Sequence, residues 1–107
     1  MKRCIVGIRR PGESEVAAKG KDFPTVWFPS MATMAAVLSE DNRALLRIIR
    51  DAKPKTLTEL AALSGRQAPN LSRTLRMMES YGLVMLKKNI REIEPITLAT
   101  SFAILID

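Results

Sequence analysis

Residues 56–84 run TLTELAALSGRQAPNLSRTLRMMESYGLV, two helical patterns hinged at a glycine. Thr56 and Glu59 have the spacing of a capping box, a hydroxyl at the helix start and a carboxylate three residues on. Leu57, Leu60 and Ala61 then form the buried stripe of a short helix that ends at Gly65, where a left-handed residue is needed. A second helix is predicted from about Ala68 to Ser80. Pro69 is tolerated in its first turn because the missing N–H would have no partner within the helix. Leu71, Leu75 and Met78 lie on one side of it, so Asn70, Arg73, Arg76, Met77 and Ser80 are expected to point away from the core. Gly82 stops this helix. Ala61, Gly65 and Leu71 supply a small residue at the helix crossing, a turn and a packing leucine, as two closely crossing helices require.

Downstream, Leu83-Val84-Met85-Leu86-Lys87 is a strand candidate, Lys88-Asn89 can turn, and Arg91-Glu92-Ile93-Glu94 alternates as a returning strand. Two helices joined by a tight turn and followed by a hairpin outline a winged helix-turn-helix. The final run, Ile96 to Ile106, reads as one more strand. Upstream, residues 2–8 are short, apolar and β-branched and predict a strand, and residues 11–24 mix glycine, proline and both charge signs as a mobile linker. Val26-Trp27-Phe28 is a short apolar piece, with core packing expected for both aromatics. Ser30 is a helix N-cap ahead of Met31, Met34, Ala35 and Leu38, the methionines filling core. Ser39, Glu40 and Asp41 open another helix whose inner face carries Leu45, Ile48, Ile49 and Ala52 and which ends before Pro54. The expected fold is mainly α with a β-hairpin wing, an α+β winged helix-turn-helix with extra N- and C-terminal strands. It divides into a strand and flexible arm over 1–24 and the winged domain with its C-terminal strand over 25–107.

With 107 residues the chain has room for one small domain and none for a substrate domain beside a cofactor domain. It contains no histidine and a single cysteine, so it cannot alone build an imidazole-based nucleophile, a His-ligated zinc site or an internal disulfide. No Gly-rich phosphate loop or carboxylate cluster appears either, and neither an enzyme nor a cofactor is expected. Glu92 and Glu94 alternate on one predicted strand, yet no further ligands accompany them, and solvent exposure or pairing with a nearby cation is the expectation. Cys4, on a predicted strand, reads as a small buried hydrophobe. No apolar run reaches the length of a membrane span and the N-terminal one is too short for a signal peptide, so a cytoplasmic protein without membrane contact is expected.

The formal net charge is +6. Residues 64–91 hold six Lys or Arg and one Glu, whereas residues 92–107 hold three acids and no base. Excess positive charge concentrated on the second helix and its hairpin favours a polyanionic partner. Arg66, Gln67, Asn70 and Arg73 cluster at the leading end of that helix, which is the end that meets base edges in a major groove. Arg can hold a guanine edge with two N–H groups, and Asn or Gln can pair with adenine. Arg76 lies farther along as a phosphate ligand, and Ser72 points sideways, toward a phosphate or its own backbone. Lys87, Lys88, Asn89 and Arg91 place charge on the wing over 86–91, suited to phosphate or minor-groove contact.

Thr56 to Gly65, Asn70-Leu71-Ser72-Arg73-Thr74-Leu75 and Glu79-Ser80-Tyr81-Gly82-Leu83-Val84 together resemble the MarR-like winged-helix family. The lead-in Val26-Trp27-Phe28-Pro29-Ser30 and the stretch Leu38 to Leu46 resemble its short, antitoxin-like members. The resemblance covers about residues 26–95 and departs from full-size regulators in length, since the flanking helices that build their dimer interface and ligand pocket are not recognisable here. It implies a sequence-specific double-stranded DNA-binding transcriptional regulator, a repressor of its own operon. The alternative is an antitoxin that neutralises a cognate toxin protein, with or without DNA autoregulation. A homodimer is expected because one small domain covers little DNA, and residues 2–8 and 96–106 are candidates for strand pairing between chains.

Overall fold

The computed structural model describes residues 4–8 and 26–105. Along them run β1 (Cys4–Ile8), β2 (Val26–Phe28), α1 (Met31–Val37), α2 (Glu40–Ala52), α3 (Leu57–Ser64), α4 (Ala68–Ser80), β3 (Val84–Lys88), β4 (Ile93–Thr97) and β5 (Phe102–Leu105). The class is α+β, with four helices and two sheets among the described residues. The linker expected at 11–24 lies outside them.

The helix starts are written in local chemistry. Ser30 Oγ accepts from the Thr33 N–H at 3.1 Å, Ser39 Oγ from Asn42 at 3.2 Å and Thr56 Oγ1 from Glu59 at 3.0 Å, each satisfying one of the donors that a helix leaves open. The capping box at α3 departs from expectation in one bond, because the Glu59 carboxylate accepts from the Lys55 N–H at 2.7 Å rather than reaching Thr56. Lys53 ends α2 in a left-handed conformation, φ 49°, and Pro54 bars continuation. Gly65 does the same for α3 at φ 73°, its N–H donating to Ala61 O at 2.9 Å.

Leu45, Leu46, Leu60, Leu71, Leu75, Met78, Leu83 and Val84 are fully buried together with Val6 and Phe28 in one cluster. Phe28 also meets the Tyr81 ring at a centroid distance of 4.7 Å, tying β2 to the end of α4. Trp27, one residue along the strand and hence on its other face, is only half-buried. The inner face of α2 is centred on Leu45, Leu46 and Ile49, while Ala52, expected inside, is exposed in the last turn. Met77, expected to point away from the core, is half-buried and packed against it.

The sheets hold what periodicity did not foresee. β1 is the middle strand of a three-stranded parallel sheet, β2-β1-β5, with Val6 opposite Val26 on one side and Ile104 on the other. Both edges of β1 are therefore used within the chain, and pairing of that strand with a second copy, one of the expectations above, has no edge left to use. The described part of the Ile96 to Ile106 run, which ends at Leu105, falls in two strands, not one. Ile96 and Thr97 close β4. The Leu98 N–H then donates to Leu83 O at 2.9 Å and Thr97 Oγ1 to Ala99 O at 3.0 Å, and the chain turns before the Cys4 N–H donates to Ser101 O at 2.8 Å, at the start of the β1–β5 pairing. The hairpin β3–β4 is antiparallel, Lys88 opposite Ile93. Lys88 thus belongs to the strand, and the turn is Asn89 to Glu92, closed by Asn89 N–H to Glu92 O at 2.8 Å.

Candidate nucleic-acid interface

α3 turns through Gly65, Arg66 and Gln67 into α4, and α4 packs along both α3 and β3. Its inner side, Leu71, Leu75 and Met78, is wholly buried, which fixes the roll of the helix and leaves Asn70, Arg73 and Arg76 exposed on the outer side. Ser72 is half-buried at the flank. Gln67 is the N-cap residue and is exposed, with no side-chain cap bond of its own. At 13 residues and about 1.5 Å per residue, α4 is about 20 Å long.

Lys87, Lys88, Asn89 and Arg91 are all exposed where the hairpin leaves the core. Among the described residues, none of Arg73, Arg76, Lys87, Lys88 and Arg91 enters an ion pair. Two of the acids near them are otherwise engaged. The Glu79 carboxylate, on α4, accepts from the Leu86 N–H of β3 at 3.1 Å and so pins the hairpin to the helix. Glu94 takes the Lys55 ammonium at 3.4 Å. Glu92 lies in the turn rather than on the strand, so it does not share a strand face with Glu94 as alternation had implied.

Arg66 is placed differently from its expected neighbours. Its guanidinium donates to Asn42 Oδ1 at 3.2 Å and to the Asp41 carbonyl at 2.8 Å, and the residue is half-buried against the start of α2. Asn42 in turn donates from Nδ2 to Val37 O at 3.0 Å, so one polar chain links the α3–α4 turn to the α1–α2 corner. Gln67, Asn70 and Arg73 remain together at the leading end of α4, while Arg66 is held behind them. Sequence reasoning missed Asn42 and Glu79 because their partners are 24 and 7 residues away and neither contact has a local pattern. Ile90, at the hairpin tip and 99% exposed, was also passed over, although an isoleucine in a turn of Lys, Asn, Arg and Glu was a visible anomaly.

The HVO_A0114 family model matches residues 37–104. The chain belongs to this family. The HVO_A0114 match runs from the end of α1 into β5 and includes every candidate residue above, while β1 and β2 fall outside it. Neither a curated protein nor a solved structure matches the chain.

Proposed function

We propose that this protein is a sequence-specific double-stranded DNA-binding transcriptional regulator acting on its own operon. In this reading α3, α4 and the β3–β4 hairpin form a winged helix-turn-helix, with α4 entering the major groove and the hairpin lying on the flanking backbone. The observation that carries it is the split character of α4. Three side chains are completely buried on one side, Asn70, Arg73 and Arg76 are free on the other, and a hairpin bearing three more unpaired cations is pinned beside them. A helix about 20 Å long fits a groove about 12 Å wide, and exposed Asn and Arg near its start have the donors to read adenine and guanine. Arg76, Lys87, Lys88 and Arg91 would bind phosphates and add affinity without sequence preference. Resemblance of the α3–α4 stretch to MarR-like regulators supports the same reading, as does the reach of a single domain, which favours two copies on a two-fold operator.

The test is fluorescence anisotropy of labelled duplex from the gene's upstream region against a scrambled duplex across a salt series. The expected outcome is tighter binding to the upstream duplex at every salt concentration, with Arg73→Ala plus Arg76→Ala abolishing it. Equal, weak and salt-sensitive binding to both duplexes overturns the reading and brings forward the alternative of a toxin-masking protein partner.

A further inference from the structure

The tip of the hairpin carries a side chain that neither folding nor phosphate binding uses. Ile90 is 99% exposed, far beyond the other exposed large apolar side chains among the described residues, which lie between 46% and 54%. Such a residue forgoes the transfer free energy that burial of its side chain would supply. The turn does not need it there, since Asn89 N–H to Glu92 O closes the loop through backbone atoms alone. Lys87, Lys88, Asn89, Arg91 and Glu92 around it are all exposed as well, so the whole tip stands clear of the core. Three cations against one acid surround the isoleucine, which selects a polyanion as the surface it meets.

From this placement we infer that Ile90 is an apolar wedge that enters the DNA minor groove and partly unstacks a base step, kinking the duplex, while Lys87, Lys88 and Arg91 hold the phosphates on either side. The inference rests on the DNA-binding reading above and goes beyond it, from phosphate contact by the hairpin to deformation of the DNA. The minor groove is about 6 Å wide, room for one aliphatic side chain on a two-stranded tip, and isoleucine is among the side chains that architectural proteins insert between bases. Unstacking costs free energy that depends on the step, least at pyrimidine–purine steps, so the wedge would add sequence preference at a position that α4 never touches.

The experiment uses the full-length protein and an upstream duplex carrying a donor and an acceptor dye at its two ends, so that anisotropy gives affinity and energy transfer gives the bend. Wild type is expected to bend the duplex by about 20° or more. Ile90→Ala is expected to bind about 10-fold more weakly with the bend lost, its log affinity against log salt keeping the wild-type slope because no phosphate contact is removed. Ile90→Leu is expected to restore both. An exposed tip residue supports no core packing, so an unchanged thermal midpoint will accompany each variant. If wild type and Ile90→Ala bind and bend alike, the wedge is overturned and the DNA-binding reading stands. If wild type prefers no duplex, both fall together.

Discussion

Arg66 shows how a single side chain can change role between sequence and structure. Its type and position at the start of α4 suit a guanine reader, yet its guanidinium is already committed to Asn42 Oδ1 and the Asp41 carbonyl. A half-buried charged donor with two acceptors is worth about 1–2 kcal/mol, so Arg66→Ala is expected to lower unfolding stability by about that amount in urea. Any weakening of DNA binding in this variant should come together with that loss of stability, since Arg66 positions the start of α4 and makes no base contact. Asn70→Ala and Arg73→Ala should instead erode the difference between the two duplexes. A loss of discrimination in Arg66→Ala without any loss of stability would return Arg66 to the base-reading set. A second residue-scale pair is Arg50 and Asp51, joined by two bonds of 2.7 and 3.1 Å and both exposed. The hydrogen bond from Arg50 holds the Asp51 carboxyl below the usual aspartate range. A depressed carboxylate stabilises the fold above its unfolded pKa and loses that contribution as pH falls through the folded one. NMR titration should therefore find Asp51 protonating at lower pH than an ordinary aspartate at low salt, and moving back toward the ordinary value at high salt. A normal midpoint at low salt would show that the pair is not formed in solution.

Elements were legible where their signals are local. The cap serines and threonine, the proline in the first turn of α4 and the glycines at 65 and 82 all act within four residues, and the three longer helices appear at the expected places. Strand pairing is the opposite case. No short-range pattern says that Cys4–Ile8 will lie parallel to both Val26–Phe28 and Phe102–Leu105, because alternation fixes faces and not partners. The same limit hid the division of the C-terminal run and the use of Glu79. The local code can be tested at the α3–α4 turn. Gly65 has φ 73° and open space where a Cβ would stand, so Gly65→Ala meets no clash and its cost is the left-handed backbone alone, about 1 kcal/mol. Thr56→Ala removes the acceptor for the Glu59 N–H and should cost about 1 kcal/mol as well. Thermal unfolding of the two single variants and the double variant checks this, and the losses should add, since one acts at the start of α3 and the other past its end. A Gly65→Ala variant as stable as wild type would mean that the turn relaxes to another backbone.

At the scale of the whole molecule, α4 serves both stability and the proposed binding surface, one side to each, whereas the hairpin tip is separate from the core. The core gathers residues from β1, β2 and all four helices, with Val6 as buried as any leucine in it, whereas the tip from Lys87 to Glu92 is exposed throughout. β1 is the joint of the three-stranded sheet, since β2 and β5 are each paired to it and not to one another. Removing it would strip both of their partner, leave their inward N–H and C=O groups unpaired and open a hole where Val6 sits, which a marginally stable small domain cannot absorb. Deletion of residues 1–8 is therefore expected to abolish the cooperative thermal transition, and Val6→Ala to lower stability by about 2 kcal/mol while retaining it. Lys87→Ala plus Lys88→Ala should do the reverse, leaving the thermal midpoint in place and reducing the salt slope of DNA binding by about two. The two sets of variants, measured together by circular dichroism and anisotropy, separate folding from binding. A truncated chain that still melts cooperatively would show that the α3–α4–hairpin lobe folds without the parallel sheet, and β1 would then be an addition to a domain complete without it.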